Sequence, residues 1–194
     1  MTSPDQPPAA GGYRQNRFAL PPGAAELLLI RHGESERATL AAPFPIVDGR
    51  ADPALAPEGH EQAERLADRL APGGISAIYV STLRRTALTA APLAARLDQR
   101  GQAEPTAEFT ARVRGAVSRI AAAHPGQRVA VFTHGGVIGE ALAQASGSRP
   151  FAFITADNGS ISRLVISPDR WVVRGFNDTA HLDGTARADG RAPA

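Results

Sequence analysis

The chain has 194 residues, 43% of them hydrophobic and 21% charged, a length and balance that suit one globular domain with a sizeable core. The formal net charge is only +2; the pI near 9.9 arises because all 21 basic residues are arginine, so charge alone does not argue for nucleic acid. There is no cysteine, which excludes disulfides, thiolate catalysis and cysteine metal sites, and no apolar run approaches the roughly 20 residues of a membrane helix.

Residues 1–25 are rich in Pro, Gly, Ala and polar side chains and are expected to form a disordered tail. They lack a charged start followed by an apolar block, so no secretory leader is expected and the expected location is cytoplasmic. Glu26 to Arg31 reads as a buried strand, followed by a long loop broken by Pro43, Pro45, Gly49, Pro53 and Pro57. Pro57 and Glu58 open a helix, with Ala63, Leu66, Ala67 and Leu70 at helical spacing on one face. Ile75 to Val80 reads as a second strand. Leu83 to about Leu97 reads as a helix with a kink or restart at Pro92.

Residues 98–105 read as a short polar link. Phe109, Val113, Val117 and Ile120 mark a helix that ends near His124-Pro125-Gly126. Arg128 to Phe132 is a third strand and Val137 to Ser146 a further helix. Ser160 to Ile166 and Trp171 to Val173 read as a hairpin about Ser167-Pro168-Asp169-Arg170. The domain is expected over 26–182, with a disordered tail over 183–194. The alternation predicts an α/β three-layer sandwich with a mostly parallel central sheet and an antiparallel C-terminal strand. Ligands of such sheets sit beyond the carboxyl ends of the strands.

Three segments at such ends carry candidate chemistry: Arg31-His32-Gly33-Glu34-Ser35, Ser81-Thr82-Leu83-Arg84-Arg85-Thr86 and Thr133-His134-Gly135-Gly136. Brought together, they would place two imidazoles and at least two guanidiniums around one point. A phosphoryl group is the natural occupant, since guanidinium gives planar, permanently charged, multi-point bonds to phosphate oxygens. Helix starts and glycines add backbone donors and close approach. A neutral imidazole is a competent nucleophile toward phosphorus, and guanidiniums can stabilise the transferring charge in place of a metal.

These motifs resemble those of the histidine phosphatase superfamily, which includes the cofactor-dependent phosphoglycerate mutases. Leu27 to Glu34 is similar to its signature, and Asp52-Pro53-Ala54-Leu55-Ala56-Pro57-Glu58-Gly59 to the segment leading into its first helix. Ser81 to Thr86 with Thr89-Ala90 resembles its second-arginine motif, and Phe132 to Gly136 its second-histidine motif. The resemblance implies that His32 is the nucleophile, phosphorylated at a ring nitrogen, and that Arg31, Arg85 and His134 clamp the phosphoryl oxygens. It implies further substrate contacts from Gly33, Ser35, Arg37 and Gly135, with no metal and no cofactor. Where many members carry Asn four residues after the signature glutamate, this chain has Ala38, preceded by Arg37.

Many members also carry a glutamate that protonates the leaving oxygen, in an insertion after the second-arginine helix. Here only the link over 98–105 joins the helices, and neither the Leu-Arg-Glu stretch nor the strand before it is expected. The general acid is therefore unassigned, with Glu104 and Glu108 flanking the gap as candidates; such help is typically worth ~10²–10⁴-fold. The expected function is a metal-independent phosphatase acting on a phosphomonoester. The alternatives are a phosphohistidine-protein phosphatase of the short bacterial type and a phosphate-binding module that has lost turnover. The expected partner is a phosphorylated small molecule or phosphoprotein, with neither nucleic acid nor membrane. His60 is expected to be exposed, and His124 and His181 to be structural.

Overall fold

The structure is a computed structural model that describes residues 18–47, 49–98, 102–103, 109–149 and 152–183. In chain order the strands are β1 (Ala25–Arg31), β2 (Ile46–Val47), β3 (Arg50–Ala51), β4 (Ile75–Val80), β5 (Gln102–Ala103), β6 (Arg128–Thr133), β7 (Ile161–Ile166) and β8 (Trp171–Asp178). The helices are α1 (Pro57–Leu70), α2 (Arg84–Arg96), α3 (Phe109–Ala123) and α4 (Gly135–Ser146). Among the described residues one sheet has the order β5-β4-β6-β1-β7-β8, and β2 and β3 form a separate small hairpin.

The sheet is parallel from β5 through β4 and β6 to β1, and β7 pairs antiparallel with both β1 and β8. The α/β sandwich expected from the sequence is thus the observed one, with β7 as the strand that runs against the rest. Alternate residues of β1 serve opposite faces. Leu27 and Leu29 join Val113, Val117, Ile120, Ile138 and Leu142 of α3 and α4. Leu28 and Ile30 join Leu66, Leu70, Ala90 and Leu93 of α1 and α2, and Phe132 fills the same layer with no exposed surface. A strand covered on both faces reads as a continuous apolar run, which is why Leu-Leu-Leu-Ile marks the centre of the sheet.

Several expectations are corrected. The link over 98–105 carries β5, whose Gln102 and Ala103 pair in parallel with Tyr79 and Val80, so a two-residue strand stands at the end of the sheet where none is expected from the sequence. Two residues leave too little pattern for a sequence signal, yet they close part of an open edge. The long loop contains the β2–β3 hairpin, turned at Gly49 with φ of 73°. Its signal was the Asp-Gly pair at 48–49, read only as a breaker. Strand β8 runs to Asp178 rather than Val173, because a half-exposed edge strand with register shifts lacks clean alternation. Helix α2 continues through Pro92 as one element, and α4 begins at Gly135, two residues earlier than expected.

The expected tail boundary at residue 25 also moves. Ala24 and Ala25 are fully buried, the Gly126 N–H donates to the Ala24 carbonyl at 2.7 Å, and Arg174 lies over the Phe18 ring at 3.6 Å. Residues 1–17 and 184–194 lie outside the described residues.

Phe132 tests the layer beneath α1 and α2. Phe132→Ala should cost about 3–5 kcal/mol in urea unfolding, and a loss under 1 kcal/mol would contradict this account of the core.

Candidate active site

Strands β1 and β6 pair with Arg31 opposite Thr133, and the His32 N–H continues the ladder onto the Thr133 carbonyl at 3.0 Å. The next residue on each strand is a histidine, and the His32 and His134 rings lie 5.3 Å apart between centroids, tilted by 59°. His134 is also the N-cap of α4, and α2 opens with Arg84-Arg85 beside them. Two helix N-termini therefore face the strand ends, an arrangement that favours anions.

The loop after β1 is held by backbone-directed bonds. The Gly159 N–H donates to the carbonyls of Arg31 and His32, each at 3.2 Å, and the Arg31 N–H donates to Ser160 O at 3.2 Å. The Gly33 N–H donates to Thr89 Oγ1 at 3.0 Å, and the Glu34 N–H to Gln62 Oε1 at 2.8 Å. Gly33 packs on Gly59 of α1, where an added Cβ would lie 2.6 Å from the Gly59 carbonyl oxygen. Space, rather than a left-handed turn, requires this glycine.

Hydrogen bonding fixes the His32 tautomer. Nδ1 lies 2.7 Å from the Gly33 carbonyl, which can only accept, so Nδ1 carries the proton and Nε2 keeps its lone pair. Burial pushes His32 down to about 4, aided by the Arg85 and Arg31 charges and opposed by the Gly33 bond. Burial also pushes His134 down to about 3, with Arg85, His32, Arg31 and Arg50 adding to the effect. Both rings are thus neutral at pH 7.

The Arg31 Nη1–H donates to Ala156 O at 2.5 Å, while its buried Nε has no partner. The Arg85 Nη1–H donates to Ala51 O at 3.1 Å, which anchors the β2–β3 hairpin over the site. Burial lowers both guanidiniums from their ordinary value. Nearby carboxylates are engaged elsewhere. Asp52 Oδ1 accepts from the Arg84 N–H at 2.8 Å and so caps α2, Glu34 Oε2 accepts from Asn158 Nδ2, and Asp157 Oδ2 accepts from Asn177 Nδ2 at 2.9 Å.

The structure brings Arg31, His32, Arg85 and His134 together. Gly135 packs against Arg31, 3.7 Å from its Cδ to an added Cβ. Ser35 bridges to Leu55, and with the exposed Arg37 it lines an adjoining cleft of about 700 Å³ whose walls include Phe44, Pro53 and Glu58. Glu104 and Glu108 lie outside the described residues. His60 is exposed, His124 bonds Tyr79 and Gln127, and His181 bridges Arg69 to the Gly159 carbonyl, so none of the three enters the site. Among the described residues no group of three His, Asp or Glu could hold a metal ion.

Sequence reasoning missed the supporting residues Gln62, Asn158, Gly159 and Arg50. Thr89 had a signal, since it follows Arg85 by one helical turn and its hydroxyl donates back to the Arg85 carbonyl at 2.7 Å. The others come from distant segments and had none.

The chain matches the family model of the histidine phosphatase superfamily, branch 1, over residues 27–105 and 98–179, two segments that overlap at the short link. It belongs to that superfamily, and is by that membership a phosphatase, a phosphoric monoester hydrolase. It is 26% identical to phosphoglycerate mutase-like protein 4 of Arabidopsis thaliana, over 83% of this chain and 88% of that protein. It is 28% identical to the uncharacterized phosphatase PhoE of Bacillus subtilis over 42% of each chain. A phosphoserine phosphatase from Entamoeba histolytica, crystallised with 3-phosphoglyceric acid, superposes with a TM-score of 0.67 at 20% identity, over 81% of this chain and 99% of that one. A mycobacterial glucosyl-3-phosphoglycerate phosphatase superposes at 0.66 and 21% identity, over 79% and 99%. These likenesses establish the same fold.

The neutral histidines make stability depend on pH. Unfolded histidine titrates near 6.5, whereas folded His32 and His181 titrate near 4 and His134 near 3. Between these values the unfolded chain binds more protons, so stability falls as pH drops from 6.5 toward 4. The melting temperature should decline steadily across that window, and His32→Gln should make the decline shallower. A flat profile in the wild type would contradict neutral buried rings.

Proposed function

We propose that this protein hydrolyses phosphomonoesters without a metal ion, through a covalent phosphohistidine on His32. The observation that carries the reading is the unprotonated Nε2 of His32, fixed by the Nδ1–H···O bond to Gly33, beside two guanidiniums and a second neutral imidazole. Arg31, Arg85 and His134 hold the phosphoryl oxygens, and the unpartnered Arg31 Nε gains an acceptor when an anion enters. Gly135 leaves room for Arg31, and Gly33 and Ser35 carry the chain past the phosphate into the cleft. Arg37, on the rim, meets the leaving group.

In the first step the Nε2 lone pair forms a bond to phosphorus, and the bond from phosphorus to the ester oxygen breaks. The departing oxygen takes up a proton. In the second step water attacks phosphorus, the P–N bond breaks and returns its electron pair to Nε2, and inorganic phosphate leaves. Both transition states place negative charge on oxygens that face guanidinium donors. The names of the structural neighbours support small phosphorylated metabolites as the substrate class, since they include phosphoserine and glucosyl-3-phosphoglycerate phosphatases.

The carboxylates near the site favour a second reading for the leaving group. Among the described residues, Asp52, Glu34 and Asp157 are all hydrogen-bonded away from the phosphoryl position. A leaving group that departs with little protonation, such as an aryl oxide or the imidazole of a phosphohistidine protein, suits such a site best.

Hydrolysis of p-nitrophenyl phosphate in EDTA tests the nucleophile. Wild type should turn over with EDTA present, and His32→Ala should lose at least about 10³-fold in kcat/KM. Unchanged activity in the mutant would remove His32 from the mechanism. A series of aryl and alkyl phosphates then probes the acid: kcat/KM should fall steeply as the leaving-group pKa rises. A flat series would show that a general acid is in place, and Glu104→Gln and Glu108→Gln would locate it.

A further inference from the structure

His134 is linked to a chain of hydroxyls outside the phosphoryl position. Its Nε2 lies 2.8 Å from Ser81 Oγ, and Ser81 Oγ lies 2.9 Å from Thr86 Oγ1. The Thr86 hydroxyl is 2.6 Å from the Leu83 carbonyl and 3.0 Å from the Ser81 carbonyl, and Thr86 is fully buried. Carbonyls only accept, so the Thr86 hydrogen points at one of them and its oxygen is left to accept from Ser81. On its other side, His134 Nδ1 lies 3.5 Å from Arg85 Nη2, and a guanidinium only donates.

The empty site therefore has one consistent proton arrangement. Nδ1 holds a lone pair toward Arg85, Nε2–H donates to Ser81 Oγ, and Ser81 Oγ–H donates to Thr86 Oγ1. A phosphoryl oxygen held by Arg85 inverts the demand on Nδ1, because phosphate oxygens accept and a lone pair facing them is repelled. The imidazole then needs its proton on the opposite nitrogen.

We propose that Ser81, oriented by Thr86, lets His134 exchange its Nε2–H tautomer for the Nδ1–H tautomer when a phosphoryl group binds. One proton leaves Nε2 for water and one arrives at Nδ1 from water, so the ring stays neutral. The Ser81 hydroxyl rotates from accepting at Nε2–H to donating to the Nε2 lone pair, and the Thr86 hydroxyl swings from the Leu83 carbonyl to donate to Ser81 Oγ, a contact in which either oxygen can be the donor. Ser81 is thus a positioning residue that acts through His134, and it rests on the reading of His134 as a phosphoryl ligand. Only a group that both donates and accepts can serve both tautomers, which a hydroxyl does and an ammonium or a carboxylate does not. The low proton affinity of the buried ring agrees with a neutral exchange rather than proton uptake.

The test uses the full chain with 15N-labelled histidine, titrated with inorganic phosphate. The ring-nitrogen shifts of His134 should report a proton on Nε2 in the free protein and on Nδ1 at saturation. In Ser81→Ala the exchange should be lost, with kcat/KM for p-nitrophenyl phosphate reduced roughly tenfold to a hundredfold. Ser81→Thr, which keeps the hydroxyl, should restore both. Phosphate binding with the proton still on Nε2, or with both nitrogens protonated, would overturn the Ser81 role while wild-type turnover preserved the phosphatase reading. Neither phosphate binding nor turnover would overturn both. Should Ser81→Ala not fold, the wild-type and Ser81→Thr titrations decide the question.

Discussion

The site depends on one pairing, the parallel ladder between β1 and β6. It sets Arg31 opposite Thr133, so the first residue past each strand is a histidine. A slip of one residue would turn each side chain to the other face. That slip is opposed from both sides, because Leu27 and Leu29 are buried under α3 and α4 while Leu28 and Ile30 are buried under α1 and α2. The apolar packing that stabilises the sheet is therefore also what holds two imidazoles 5.3 Å apart. Distant loops complete the fixation through backbone groups, as where Gly159 holds the carbonyls of Arg31 and His32.

Concentrating cations at this point has an electrostatic consequence. Arg31 and Arg85 are partly desolvated, and both histidines respond by staying neutral rather than adding charge. The surrounding carboxylates act on the guanidiniums from a distance, yet each is bonded to something else: Asp52 to the start of α2, Glu34 to Asn158 and Asp157 to Asn177. A carboxylate inside the clamp would neutralise it and compete with a phosphoryl dianion. Keeping the acids at the periphery gives the guanidiniums counter-charge while they are partly buried and leaves them available to the proposed phosphoryl ligand.

The architecture and the central residues were legible because strong local patterns encode them. Leu-Leu-Leu-Ile followed by Arg-His-Gly, and Val-Ala-Val-Phe-Thr followed by His-Gly-Gly, each give a two-face-buried strand and the group at its end. The β2–β3 hairpin and β5 were not read, since two-residue strands carry no periodicity and their existence follows from edges and anchors elsewhere. Arg85 shows the same limit. Its motif marked it as a clamp, but nothing local shows that one of its nitrogens holds Ala51 and brings Arg50 close enough to act on His134. Gly33 is expected from its motif as a substrate contact, but the motif does not show that close packing on Gly59, across 26 residues of sequence, leaves no room there for a Cβ.

The partner chosen for His134 fits the same electrostatic logic. A carboxylate at the Ser81 position would favour an imidazolium and hold the ring proton permanently on Nε2. It would also add negative charge behind the ring, against the approach of a phosphoryl anion. A hydroxyl adds no charge, satisfies a buried nitrogen in either protonation pattern, and passes its own requirement to Thr86 and a main-chain carbonyl. His32 is held in the opposite manner. Its Nδ1 faces the Gly33 carbonyl, an acceptor that cannot reverse, so the proton stays on Nδ1 and Nε2 stays free. The fold thus pairs one imidazole with a one-way partner and the other with a two-way partner. In the proposed mechanism this difference has a reason: the nucleophile has to present the same lone pair at every turnover, whereas the phosphoryl ligand has to change what it offers as the anion comes and goes.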